Sequence, residues 1–119
     1  MTTTLEFPVT RPATGQVNAA GALLAVLSAH GGLPTPNVDL RELSVPGRPR
    51  AWGLRITLHD GLDQFEQWRD ALDLDPAAVD HHQNGGATLA WLTATGTAYG
   101  VPVELVGYYD LPKPAPRRR

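Results

Sequence analysis

The stretch that most limits how this chain can fold is Thr88–Tyr109, two apolar-rich runs separated by Tyr99-Gly100. Thr88–Ala98 is built mainly from Thr, Leu, Ala and Trp, and Val101–Tyr109 from Val, Leu and Tyr. Both compositions suit a pleated, part-buried ribbon, so the stretch predicts a long β-hairpin. Gly100 tolerates the positive φ that the second corner of a two-residue turn requires. A two-residue loop sets Ala98 opposite Val101, Ala94 opposite Leu105 and Trp91 opposite Tyr108. One face then carries Ala90, Leu92, Ala94, Gly96, Val101, Val103 and Leu105, a surface on which helices can pack. The other carries Leu89, Trp91, Thr93, Thr95, Glu104, Val106 and Tyr108. A three-residue loop would move one strand's set to the opposite face and bring Glu104 among the apolar residues, because side chains alternate with period two.

The second face is the candidate surface. Trp91 and Tyr108 side by side, with Leu89 and Val106, form an apolar patch where a solvated face is expected. Two readings compete. In one the patch is a minor second core, covered by the N-terminal segment around Leu5 and Phe7, since uncovered apolar patches are uncommon on monomers. In the other it is a docking surface for a protein partner or a second copy of the chain, with Leu89, Trp91, Val106, Tyr108 and Arg55 as its contact residues.

The rest of the chain supplies the lids and the flanking strands. Val17, Ala20, Leu23, Leu24, Val26 and Leu27 predict a helix from Thr14 or Gly15 to about His30, ended by a left-handed glycine at Gly31-Gly32. It is apolar nearly all round, so burial within the protein or sharing with a partner is expected, and burial is favoured because small sheets need such a lid. Gly21 in its middle suggests close packing. Val38–Val45 predicts a strand with a bulge near Arg41-Glu42. Ala51–His59 alternates cleanly, with Trp52, Leu54, Ile56 and Leu58 inward and Arg55, Thr57 and His59 outward. Asp60 is placed to cap a second helix, whose stripe is Leu62, Phe65, Trp68 and Leu72 and which stops before Asp75-Pro76. Its polar side includes Asp63, Glu66, Arg69 and Asp70. Ala77–Gln83 reads as a short strand that Asn84-Gly85-Gly86 turns into the hairpin.

The order helix, strand, strand, helix, strand, strand, strand predicts an α+β domain. We expect a mostly antiparallel sheet of four to five strands with both helices on one face, spanning residues 14–110. Residues 1–13 read as a flexible segment, with a short edge strand open to Leu5–Val9. Residues 111–119 read as a disordered basic tail rich in Pro and Arg. A chain of 119 residues, 42% hydrophobic, can bury a self-sufficient core. It has no cysteine, which excludes disulfides, thiolate nucleophiles and thiolate-bound zinc. No apolar run approaches the ~20 residues needed to cross a bilayer, and no secretory signal is visible, so the cytoplasm is expected.

Four basic residues, Lys113, Arg117, Arg118 and Arg119, sit at one end; without them six basic residues face twelve acidic ones, a net of −6. An acidic body is a poor match for phosphates. The basic residues nonetheless supply an alternative function, a nucleic-acid-associated regulator.

Asp80-His81-His82 is the only cluster of metal-ligand types. It is similar to the Asp-His-His triplet of a large phosphoesterase family, whose further aspartate motifs and much longer chain have no counterpart here. Neighbouring strand residues point to opposite faces. A metal hydrolase would therefore use Asp80 and His82 with His59, or His30, from elsewhere. There is no phosphate loop and no nucleophile elbow, and Ser28 and Ser44 have no motif around them. The sequence thus favours a non-enzymatic binding or accessory protein, in which a homodimer is one arrangement, and calls for no cofactor.

Overall fold

The computed structural model describes residues 12–112. The expectations for Leu5–Val9, for cover by Leu5 and Phe7, and for Lys113 and Arg117–Arg119 lie outside the described residues. The described elements are α1 (Thr14–Ala29), β1 (Asn37–Leu43), β2 (Ala51–Leu58), α2 (Leu62–Ala71), β3 (Asp80–Gln83), β4 (Leu89–Ala98) and β5 (Val101–Asp110), with a short 3-10 turn at Pro76–Ala78. This is the α+β order expected from the sequence.

The five strands form one sheet in the order β1-β2-β5-β4-β3. Three neighbouring pairs are antiparallel, and β2–β5 is parallel. The sheet is therefore mixed. A parallel neighbour needs a long crossover, and α2 with the β3–β4 hairpin provides it between β2 and β5. The sheet closes around β5, whose residues Val101–Val103 and Leu105–Gly107 are buried.

The β4–β5 turn has the two residues expected. Tyr99 and Gly100 adopt φ of 51° and 81°, the values of a type I′ turn, and Ala98 pairs with Val101. The same register sets Trp91 opposite Tyr108. The face holding Leu54, Ile56, Leu58, Ala94, Val101, Val103 and Leu105 joins Ala19, Ala22 and Val26 of α1 and Phe65, Trp68 and Leu72 in one core. Both helices thus lie on one side. Gly107 is where α2 seats, because a Cβ there would stand 2.8 Å from Phe65.

Several local expectations are corrected. Val17, Leu24 and Leu27 of α1 are exposed, Leu24 by 70%, so this apolar helix is buried along one strip only. Among the described residues nothing lies within 4 Å of a Cβ built on Gly21, so no close packing among them accounts for that glycine. Gly31 and Gly32 do not take a left-handed conformation, and His30 closes the helix by donating its backbone N–H to Val26. β1 pairs with β2 without a bulge: it ends at Leu43, which falls on the parity of Asp39 and Arg41. Gly61, not Asp60, precedes α2, and no side chain caps it.

Arg69, expected on the solvated side of α2, is 8% exposed. Its guanidinium grips both oxygens of Glu66 (2.7 and 2.5 Å) and donates to the Leu74 carbonyl (2.6 Å). That carbonyl lies just past α2, where Asp73 turns left-handed at φ 55°. An aliphatic stem over the core and a paired head satisfy both halves of an arginine. Among the described residues no helix is long and apolar enough to cross a membrane.

Candidate functional site

Odd-numbered residues of β2 and β4 and even-numbered residues of β5 and β3 point away from the helices. On that helix-free face four rings line up across four strands. His59, just past β2, stacks on Tyr108 with centroids 5.2 Å apart and planes 6° from parallel. Tyr108 meets Trp91 at 6.0 Å, tilted by 38°. Trp91 stacks on His82 of β3 at 5.5 Å and 17°. The row arises because the Trp91–Tyr108 register, the His82–Trp91 register and the last residues of β2 all reach the same level of the sheet. Strands spaced ~4.8 Å apart make such a row about 14 Å wide. Offset and tilted contacts at these distances are favourable for aromatic pairs. His82 Nε2 also lies 3.2 Å from the Thr93 hydroxyl, which fixes that end of the row.

The remaining proposed contact residues lie around the rings. Leu89 sits two residues nearer the β3–β4 turn, opposite Asp110. Val106 is on the next row inward, between Thr57 and Thr93, and is only 2% exposed, so, contrary to expectation, it is not open to contact with a partner. Arg55 and Glu104 form the row beyond, with Arg55 Nε donating to Glu104 at 2.5 Å. Trp91, Tyr108 and Leu89 are partly exposed, and His59 and His82 are exposed. No described helix covers this face.

The charges around the row are mainly negative. Asp110 flanks it on one side and Asp80, opposite Thr93, on the other, while Asp60 follows His59. All three are exposed. Arg55, the nearest described arginine on the face, is committed to Glu104 and also stands opposite Asp39.

The structure does not bring His59, Asp80 and His82 together. The two histidines end the row, with the Tyr108 and Trp91 rings between them, so a single ion cannot reach both. Among the described residues no three metal-ligating side chains converge. His81 points to the helix side, where its Nε2 lies 2.7 Å from the Tyr109 hydroxyl. His30 packs edge-on against Trp68, whose indole N–H donates to the Pro34 carbonyl at 2.8 Å. A cavity of about 620 Å³ opens between α1, the start of β2 and the β4–β5 turn, with Val17, Trp52, Tyr99 and Pro102 in its wall. No carboxylate, imidazole or serine lines it, so it offers no acid–base pair.

The sequence pattern indicates the central pair, Trp91 and Tyr108, but not the row that His59 and His82 extend on either side of it. Outward-facing His59 was legible. His82 was not, because its place in the row depends on the β3–β4 register, which a four-residue polar strand does not encode. No protein-family model, curated protein or solved structure matches the chain.

Proposed function

We propose that this is a non-enzymatic binding protein whose working surface is the helix-free face of the sheet. One observation carries the reading: the four-ring row on a face that no described helix covers. A sheet this small needs one covered face for its core, and the helices supply it. Four rings on the other face are surplus to that core, and aromatic residues are the type enriched where interfaces concentrate their binding energy.

The test compares the full chain with its Trp91→Ala variant, each checked for fold by circular dichroism, as immobilised bait in extract of the native host. Wild type should retain a species that Trp91→Ala loses. Equal retention by both, or none by wild type, refutes the reading. A nucleic-acid role through Lys113 and Arg117–Arg119 is the lesser alternative, and the carboxylates beside the rings weigh against phosphates lying on this face.

A second copy of the chain as a further partner is favoured by one separate observation. α1 contains no charged residue, yet Val17, Leu24 and Leu27 are exposed along it. An uncharged strip can meet its own copy across a two-fold axis without opposing like charges.

A further inference from the structure

Resting on the reading of a second copy as partner, and independently of the ring row, we propose that two copies of the chain join edge to edge through β1. The strands run antiparallel about Leu40 and make one ten-stranded sheet from two five-stranded ones. β1 ends the sheet, and among the described residues no strand flanks it on its outer side. Its seven residues present a row of backbone N–H and C=O groups there, a template for another strand. β3, at the opposite edge, has only four residues, and edges that short pair poorly.

Charge selects the occupant. Asp39 and Arg41 are exposed on the helix-free face, and neither has an ion-pair partner among the described residues. When β1 meets its own copy with Leu40 opposite Leu40, Asp39 of each copy faces Arg41 of the other. One strand sequence thus supplies two ion pairs. Moving the two-fold axis to Asp39 or to Arg41 sets two aspartates or two arginines against each other, which is unfavourable. An axis midway between residues places the helices of the two copies on opposite faces of the joined sheet.

The Leu40 axis also covers the bare flank of α1. This helix lies over β2 and touches β1. Asn18, Gly21 and Ala25 line the cavity on its β5 side, so Ala20, Leu23 and Leu27 form the flank toward β1. Leu27 is 40% exposed, and Val38 and Leu40 are half-buried at the rim of the core. A two-fold axis perpendicular to the sheet at Leu40 brings these apolar flanks together above the joined strands. α1 carries no charged residue, so nothing on it repels its copy. A face about 24 Å long and two layers deep comes near the ~600 Å² per partner of the smaller specific interfaces.

The test is sedimentation equilibrium on the full-length chain and its charge variants, each checked for fold by circular dichroism. Wild type should show a monomer–dimer equilibrium. Asp39→Arg and Arg41→Asp each oppose like charges at both pairs, and each should weaken self-association at least about ten-fold. An equimolar mixture of the two single variants regains opposite charges at both pairs and should associate about as tightly as wild type. The double variant carrying both substitutions should do the same. Wild type that stays monomeric at millimolar concentration overturns the proposal, and slow exchange of its β1 amides would then mean that the edge is covered within the chain. Equal association of wild type and the single variants overturns it too, as does failure of both the mixture and the double variant to recover. None of these results bears on the comparison of wild type with Trp91→Ala in extract, so loss of the dimer and loss of the ring surface are read apart.

Discussion

Tyr99→Asn should stabilise the protein. Tyr99 is the first corner of the β4–β5 turn and holds a left-handed φ of 51° on a residue with a bulky side chain. That conformation costs an ordinary L-residue ~1–2 kcal/mol, and asparagine escapes a large part of the cost through its short polar side chain. The loss on the other side of the balance is small, because Tyr99 is 57% exposed, at the wall of the cavity beside Trp52. The expected net gain is about 0.5–1 kcal/mol. For a domain of this size that is a rise of ~2–6 °C in melting midpoint, read by circular dichroism, with an unchanged m-value in urea. Tyr99→Val should move the other way by ~1 kcal/mol, since a β-branched residue fits a left-handed corner poorly. If Asn destabilises, or if Asn and Val behave alike, the turn is not a two-residue type I′ turn. The register placing Trp91 beside Tyr108 then loses its support.

Further perturbations read other parts of the structure. Gly107→Ala should cost about 1–3 kcal/mol by urea unfolding, because the new methyl meets Phe65 at 2.8 Å and pushes α2 off β5. The Arg69 guanidinium, hydrogen-bonded to Glu66, holds that carboxyl below its usual range, while burial works against it. A depressed folded-state value means stability that is present above the unfolded carboxyl's range and is lost as pH falls through the folded one. Wild type should therefore be more stable than Glu66→Gln near neutrality, and the gap should close on acidification below about pH 4.5. A gap independent of pH would contradict this pairing. Leu24→Lys should leave the unfolding midpoint within ~0.5 kcal/mol of wild type, since the side chain is exposed, and should abolish any concentration-dependent increase in sedimentation coefficient.

The parts of this fold that could be read from the sequence are those where period and turn chemistry agree. The alternation of Trp52, Leu54, Ile56 and Leu58 predicted β2 and its inward face. Tyr99-Gly100 predicted the turn, and with it the pairing of Trp91 and Tyr108. What escaped depends on distant partners. The parallel pairing of β2 with β5 is a property of the crossover, which no local pattern records. Arg69 reads as a surface residue of α2 until the chain beyond Asp73 folds back and offers the Leu74 carbonyl. The uniform apolarity of α1 suggested burial all round, but the sheet is wide enough to cover only the strip of Ala19, Ala22 and Val26. His82 joined the rings through a register that four polar residues leave open.

The most direct check is the accessibility of the rings in the full-length chain, measured by a soluble neutral paramagnetic probe on the three tryptophan indoles. The structure predicts strong relaxation at Trp91, with the His59 and His82 ring protons alongside it, and protection of Trp68 on the buried side of α2. Protection of Trp91 to the degree of Trp68 would mean that the face is closed, and the proposed working surface would not exist.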